Sequence, residues 1–268
     1  MKLKTLCIAV LLATGSVGVA YATPNLVQNG DFSGTSGLTA PSNNPAYTNQ
    51  QVGYQGFAVN NWTGMGYTIW YPNANDAVKG CGYTEFHYPG SGSGACSTLN
   101  AVGGTLPNGS PTGTFVAMDG LSTYQGSVSQ TLSGLTMGKT YAVTFYWGTT
   151  QETQASQQLN STNQYLAVSL GGTTQNTNQV STPWGSFGGW YKTTMMITAG
   201  SSDILSFVSN GLPTNGPPMI LLTGVSVNAV PEPPELALFG GGLLGLGLLT
   251  VFARRRALRK QGGTGDLA

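Results

Sequence analysis

Residues 140–147 alternate strictly between two sets. Tyr141, Val143, Phe145 and Trp147 would share one face of an extended strand, and Ala142, Thr144 and Tyr146 the other. A period of two cannot be satisfied by a helix, so this stretch predicts a strand, interior to its sheet because both faces carry apolar bulk. Similar short runs recur between Gly, Asn, Ser and Thr turn signals at 25–28, 56–62, 67–71, 113–118, 127–132, 164–170, 191–198, 204–209 and 220–227. Leu166, Val168 and Leu170 line one face of theirs, and Leu221, Thr223, Val225 and Val227 one face of the last. Gly134 and Gly138 punctuate a turn between two of the runs. No stretch sustains a helical period. The pattern is that of an all-β antiparallel sandwich.

The two ends of the chain obey different rules. Lys2 and Lys4 precede an apolar run from Leu6 to Val19, and Ala20 and Ala22 are the small residues a signal peptidase reads, so 1–22 is a secretory signal peptide with the mature chain starting near Thr23. An uncleaved membrane helix is the competing reading, and the short apolar core and well-formed cleavage site count against it. Near the other end, 236–253 is apolar and uncharged. As a helix it would span roughly 27 Å, enough to cross a bilayer's hydrocarbon core. Arg254, Arg255, Arg256, Arg259 and Lys260 follow it, and Lys and Arg tend to remain on the cytoplasmic side. That places 261–268 in the cytoplasm and everything before the helix outside. The region 23–229 is long enough for one domain with its own core.

The formal net charge of +1 belongs largely to these ends. Within 23–229 only Lys79, Lys139 and Lys192 face Asp31, Asp76, Glu85, Asp119, Glu152 and Asp203, about −3 in total, without one arginine. No basic surface exists to neutralise phosphates, which excludes nucleic acid as a partner. Cys7 leaves with the signal peptide, and Cys81 and Cys96 remain, in a compartment where disulfides persist. Pairing them would close a loop of about 15 residues and stabilise the fold by roughly 3 kcal/mol in the chain-entropy model. A metal site is the alternative, but His87 is the one further ligand nearby.

Catalytic signatures are missing. His87 is the chain's one histidine, and there is no His-Glu-x-x-His pair, no Gly-x-Ser-x-Gly elbow and no phosphate-cradling loop. Paired carboxyls could serve a glycosidase, Asp76 with Glu85 for instance, although Asp119 in Asp119-Gly120 reads as a strand-end turn. Aromatic residues concentrate between Tyr47 and Tyr88. Trp62, Trp70, Tyr71, Tyr83 and Tyr88 are the candidate carbohydrate-binding rings, since an apolar face with a polar edge suits a sugar. Alternation within 67–71 sends Trp70 and Tyr71 to opposite faces, so one of them is expected to meet a loop or solvent. The competing reading packs these rings into the core.

Pro231, Glu232 and Pro233, the apolar helix and the Arg254–Arg256 cluster together resemble the PEP-CTERM sorting tail of Gram-negative bacteria, here 230–260. Pro234 and Glu235 stand where that family more usually has small or hydroxyl residues. The resemblance implies an exosortase partner that cuts near the triplet, after transient anchoring in the inner membrane, and a final place in the cell envelope or extracellular matrix. An ordinary single-pass anchor is the plain alternative. A second resemblance covers most of the exported region. The opening segment from Asn25 through Gly30 to Phe32, the short run ending at Trp62, and the hairpin from Val128 and Gln130 through Leu135, Gly138 and Tyr141 are similar to those of galactose-binding-like jelly rolls. That resemblance implies a jelly-roll β-sandwich with a carbohydrate ligand. It also implies a structural calcium, with Asp31 as candidate ligand. Ser33 and Thr223-Gly224 stand where the family carries acids, which removes carboxylates that calcium would need. No other cofactor is implied. The expected function is that of a noncatalytic exported envelope or matrix protein associated with exopolysaccharide or biofilm; the alternative is a secreted polysaccharide hydrolase with an unrecognised carboxylate site.

Overall fold

The computed structural model describes residues 23–37, 50–54, 56–78, 99, 101–152, 160–212 and 218–230. The signal peptide, Cys81, Cys96, Tyr83, Glu85, His87, Tyr88, the Pro231–Pro233 triplet, the apolar segment 236–253 and the arginine cluster lie outside the described residues. Among the described residues no helix is long and apolar enough to cross a membrane.

Thr23–Val230 forms one compact unit. Its elements in chain order are β1 (Thr35–Ser36), β2 (Gln50–Gln51), β3 (Ala58–Val59), β4 (Thr63–Met65), β5 (Thr68–Tyr71), α1 (Ala74–Val78), β6 (Phe115–Asp119), β7 (Ser127–Thr131), β8 (Thr140–Gln151), β9 (Thr162–Leu170), β10 (Thr173–Asn176), β11 (Val180–Thr182), β12 (Trp190–Thr198), β13 (Ile204–Leu212) and β14 (Pro218–Ala229). All pairings are antiparallel. One sheet has the order β12-β8-β14-β6-β5-β2; the other runs β10-β9-β13-β7-β4, with β11 also paired to β9; β1 and β3 form a small third ribbon. The described chain is thus an all-β antiparallel sandwich.

The alternation in β8 does what period two requires. Tyr141, Val143, Phe145 and Trp147 all enter the core between the sheets, as do Leu166, Val168 and Leu170 of β9, and β8 lies inside its sheet between β12 and β14. From β6 onward most successive strands change sheet. The stretch between β7 and β8 is therefore an arch over the end of the sandwich rather than the expected hairpin, because β7 pairs with β4 and β13 while β8 pairs with β12 and β14. Gly134 and Gly138 sit in that arch at φ 87° and 81°, and the Tyr141 hydroxyl caps it by accepting from the Thr136 amide at 2.8 Å.

Three further differences have local causes. The 25–28 segment lies beside β14 without joining the ladder: Leu26 N–H donates to the Val227 carbonyl at 2.9 Å, while the Asn25 side chain accepts from the Val27 and Val227 amides in place of a neighbouring backbone. In β14 the register slips between Thr223 and Ser226, where Gly224 adopts φ 60°. That bulge exchanges the faces, so Ile220 and Leu222 join Val225 and Val227 in the main core, while Leu221 turns outward. Outward is also buried there. Tyr67, Ile69, Tyr71, Phe115, Ala117, Trp190, Met219 and Leu221 form a second core on the far side of the β5-β6-β14 sheet, with Ala77 of α1 and Leu99 packed into it.

Candidate functional site

The second core decides the fate of the predicted rings. Trp70 and Tyr71 do point to opposite faces, but both faces are covered. Trp70 packs in the main core against Phe57 at 5.7 Å and donates its indole N–H to the Phe32 carbonyl at 2.8 Å. Tyr71 stacks on Phe115 at 5.3 Å in the second core. Trp62 is buried as well, between Phe32 and Phe207, its indole N–H donating to the Asn29 carbonyl at 3.0 Å. None of the three is an exposed platform, because core burial of a large ring outweighs solvent exposure wherever a covering element is available. Trp190 joins the second core through its contact with Phe115 and a hydrogen bond to the Gly103 carbonyl. Tyr191 lies partly exposed against Trp147.

Trp62 nevertheless borders a groove, an open one of about 520 Å³ that it lines together with Gln28, Ala58, Val59, Asn60, Asn61, Thr63, Ser129, Gln130, Thr131 and Ile204. The floor is the solvent face of β4, β7 and the start of β13, since Thr63, Ser129 and Thr131 alternate with the inward Val128 and Gln130. The wall is the 60–62 turn. Asn61 holds φ 68° there, in the left-handed region, which asparagine tolerates better than most residues. Two amide clamps brace the groove, the second of them reaching this wall. Gln130 and Gln28 exchange hydrogen bonds, side chain to backbone, both at 2.8 Å. The Asn29 side chain donates to the Asn60 and Gly34 carbonyls at 2.9 Å each and accepts from the Gly34 amide. The lining contains amides, hydroxyls and apolar edges and no charged side chain, so it can offer neutral donors and acceptors to a neutral polar ligand.

Asp31, the candidate calcium ligand, is exposed, and its carboxylate accepts from the amide and hydroxyl of Ser33. The Asp31 carbonyl accepts from the Thr114 hydroxyl, and the Thr114 carbonyl accepts from the Thr223 hydroxyl at 2.8 Å. This relay of two hydroxyls links the 31–33 loop to β14 at the place where the resemblance implies a cation. Among the described residues no group of three or more His, Cys, Asp or Glu side chains could hold a metal ion.

One carboxyl pair does assemble. Asp119 ends β6 and Glu152 follows β8, so both project on the second-core side, and both are buried. Burial pushes the Asp119 carboxyl up from 3.8 to about 7; the Leu121 amide, donating at 2.7 Å, opposes the shift, and the charge of Glu152 adds to it. The other Asp119 oxygen is buried without a hydrogen-bond partner, and Glu152 accepts from the Tyr67 hydroxyl at 3.0 Å. A sugar chain has no route to carboxyls enclosed in this way, so the pair does not form a glycosidase cleft. Asp76 instead lies in the first turn of α1, which Asn73 caps: the Asn73 side chain accepts from the Asp76 amide at 3.0 Å and donates to the Asp76 carboxylate at 2.9 Å.

Sequence reasoning missed the groove because its floor is built from three strands distant in the chain. The Asn60-Asn61 pair before Trp62 was the available signal. Glu152 could have been paired with Asp119 only from knowledge that β6 and β8 flank β14.

No family model matches the chain, and no curated protein matches it. Among solved structures it is similar to a family 61 carbohydrate-binding module in complex with β-1,4-galactotriose, at 12% identity and a TM-score of 0.38 over 78% of this chain and 100% of that one. It is also similar to the xylan-binding domain of a Paenibacillus barcinonensis protein, at 12% identity and TM-score 0.29 over 52% and 83% of the two chains. A family 4 carbohydrate-binding module gives 15% identity and TM-score 0.30 over 76% and 99%.

Proposed function

We propose that the chain is a noncatalytic exported protein that holds neutral polysaccharide in the groove beside Asn61, on a jelly-roll-type sandwich. The observation that supports this reading is the groove's chemistry. A cleft lined by Gln28, Asn60, Asn61, Thr63, Ser129, Gln130 and Thr131, with the exposed Ile204 as an apolar edge, suits a ligand that is part hydroxyl and part aliphatic ring. The same proposal places the protein in the envelope or matrix of a Gram-negative bacterium. Its signal peptide would be cut before Thr23 and its tail processed by an exosortase near Pro231–Pro233, and Cys81 would pair with Cys96. Support for these steps comes from the sequence alone.

Affinity electrophoresis of the full chain in mild detergent, in gels containing the host's own exopolysaccharide, tests the binding. Retention that persists as salt rises is expected, because a domain without arginine cannot clamp carboxylates through paired forks. Asn61→Gly is expected to reduce retention, since it removes an amide at the rim while relieving an unfavourable backbone conformation. No retention of the parent would leave a structural role only.

A further inference from the structure

The groove's floor belongs to the solvent face of the β10-β9-β13-β7-β4 sheet, and the strand register puts a single row of hydroxyls across that face. Thr63 is opposite Ser129, Ser129 opposite Ser206, Ser206 opposite Ser169, and Ser169 opposite Thr174. Paired residues share a face, so all five hydroxyls project on one side. All are exposed or half-buried. Two of them, Thr63 and Ser129, are also groove-lining residues, which makes the row continuous with the groove. At about 4.8 Å between strands the row extends roughly 19 Å from β4 to β10.

The flanking rows are also uncharged. On the groove side stand Thr131 and Ile204, a register pair, and on the other side Met65, Ser127, Val208, Ala167 and Asn176 follow one another across the same strands. Ile204 and Met65 are exposed, with 47% and 66% of their surfaces in solvent. A solvent-facing sheet is ordinarily protected by charged side chains. This one instead presents small hydroxyls flanked by the exposed side chains of Ile204 and Met65, an uncharged shallow channel that shares Thr63 and Ser129 with the groove.

We infer that the groove takes one end of an extended neutral glycan and that the chain of sugars then crosses the strands along the Thr63-Ser129-Ser206-Ser169-Thr174 row. This rests on the polysaccharide reading of the groove and specifies the ligand further, as an extended chain of several units rather than a single sugar. Small side chains along the row let a sugar ring approach the sheet closely, hydroxyls supply donors and acceptors at each strand, and the absence of charge selects against uronic or sulfated units, which would find no counter-ion there.

The test is calorimetry with the full chain in detergent, using as probes neutral oligosaccharides of graded length prepared from the host exopolysaccharide. The inference predicts affinity rising about tenfold or more from the shortest probe to one long enough to cover the row, then levelling off. Ser169→Ala and Ser206→Ala remove only the hydroxyls and keep the row's side chains small. Together they should leave the shortest probe's affinity unchanged and abolish the gain with length. Ser206→Lys, which blocks the channel with a long side chain, should do the same. Affinity independent of length in the parent, or equal losses for short and long probes in the row variants, overturns the track while leaving the groove intact. Binding of no probe by the folded parent overturns both the track and the polysaccharide reading.

Discussion

Asp119 ties the fold to pH. Its folded-state value of about 7 lies above its ordinary 3.8 because burial disfavours the ionised form. Between those values the native state holds a proton that the unfolded state has released, so stability falls as pH rises from about 4 to about 7 and is level beyond. The full loss would be a few kcal/mol, since each pH unit between the two values is worth on the order of 1.4 kcal/mol. Asp119→Asn keeps an acceptor for the Leu121 amide and cannot ionise. It should flatten this dependence, matching the parent near pH 4 and exceeding it above pH 7 in urea unfolding. Core rings give the opposite kind of prediction. Trp70→Ala should cost about 3–5 kcal/mol through lost burial and a cavity, and it should also leave the Phe32 carbonyl without its 2.8 Å donor. Chemical denaturation measures that loss, and reduced glycan retention in this variant would follow from unfolding rather than from a missing contact.

Strands carry most of what the sequence made legible. Alternation alone placed the inner faces of β8 and β9, and turn signals located β7, β12 and β13 to within a few residues, because each of those strands has one face in the main core and obeys a plain period of two. The last strand escaped that rule at Gly224. A bulge changes parity within a strand whose residue types look regular, so Leu221 was assigned to the wrong face. The rings of β5 escaped for another reason: a sheet covered on both faces buries every residue, and the cover here comes from α1 and the 99–112 stretch, which show no periodic signal. Gly224 is open to test at this scale. Its φ of 60° disfavours any side chain, and a Cβ would sit 2.7 Å from Cδ2 of Tyr146. Gly224→Val should destabilise by about 1–3 kcal/mol through this combination of strain and crowding, read as a lowered urea midpoint with an unchanged slope.

On the scale of the whole molecule, the proposal joins a sandwich with a neutral groove to two ends that address it to membranes. If the tail is an exosortase substrate, protein recovered from the envelope should lack both 1–22 and everything beyond roughly Pro233. Intact mass reads this directly, and a stable species that keeps 236–260 would mark an ordinary membrane anchor. The proposed Cys81–Cys96 bridge predicts that iodoacetamide labels neither cysteine of the exported protein before reduction and both after it. The groove itself could not be read from the sequence, since Gln28, Asn61, Ser129 and Ile204 meet only once segments from four parts of the chain are brought together. Its use is most directly tested by amide chemical-shift mapping of the full chain in detergent, titrated with neutral oligosaccharides from the host exopolysaccharide. Perturbations are predicted to be confined to Gln28, residues 58–63, residues 129–131 and Ile204, extending to Ser206, Ser169 and Thr174 with the longer probes. Perturbations centred instead on the opposite sheet, around Tyr146 and Lys192, or none at saturating probe, would contradict a glycan-holding groove.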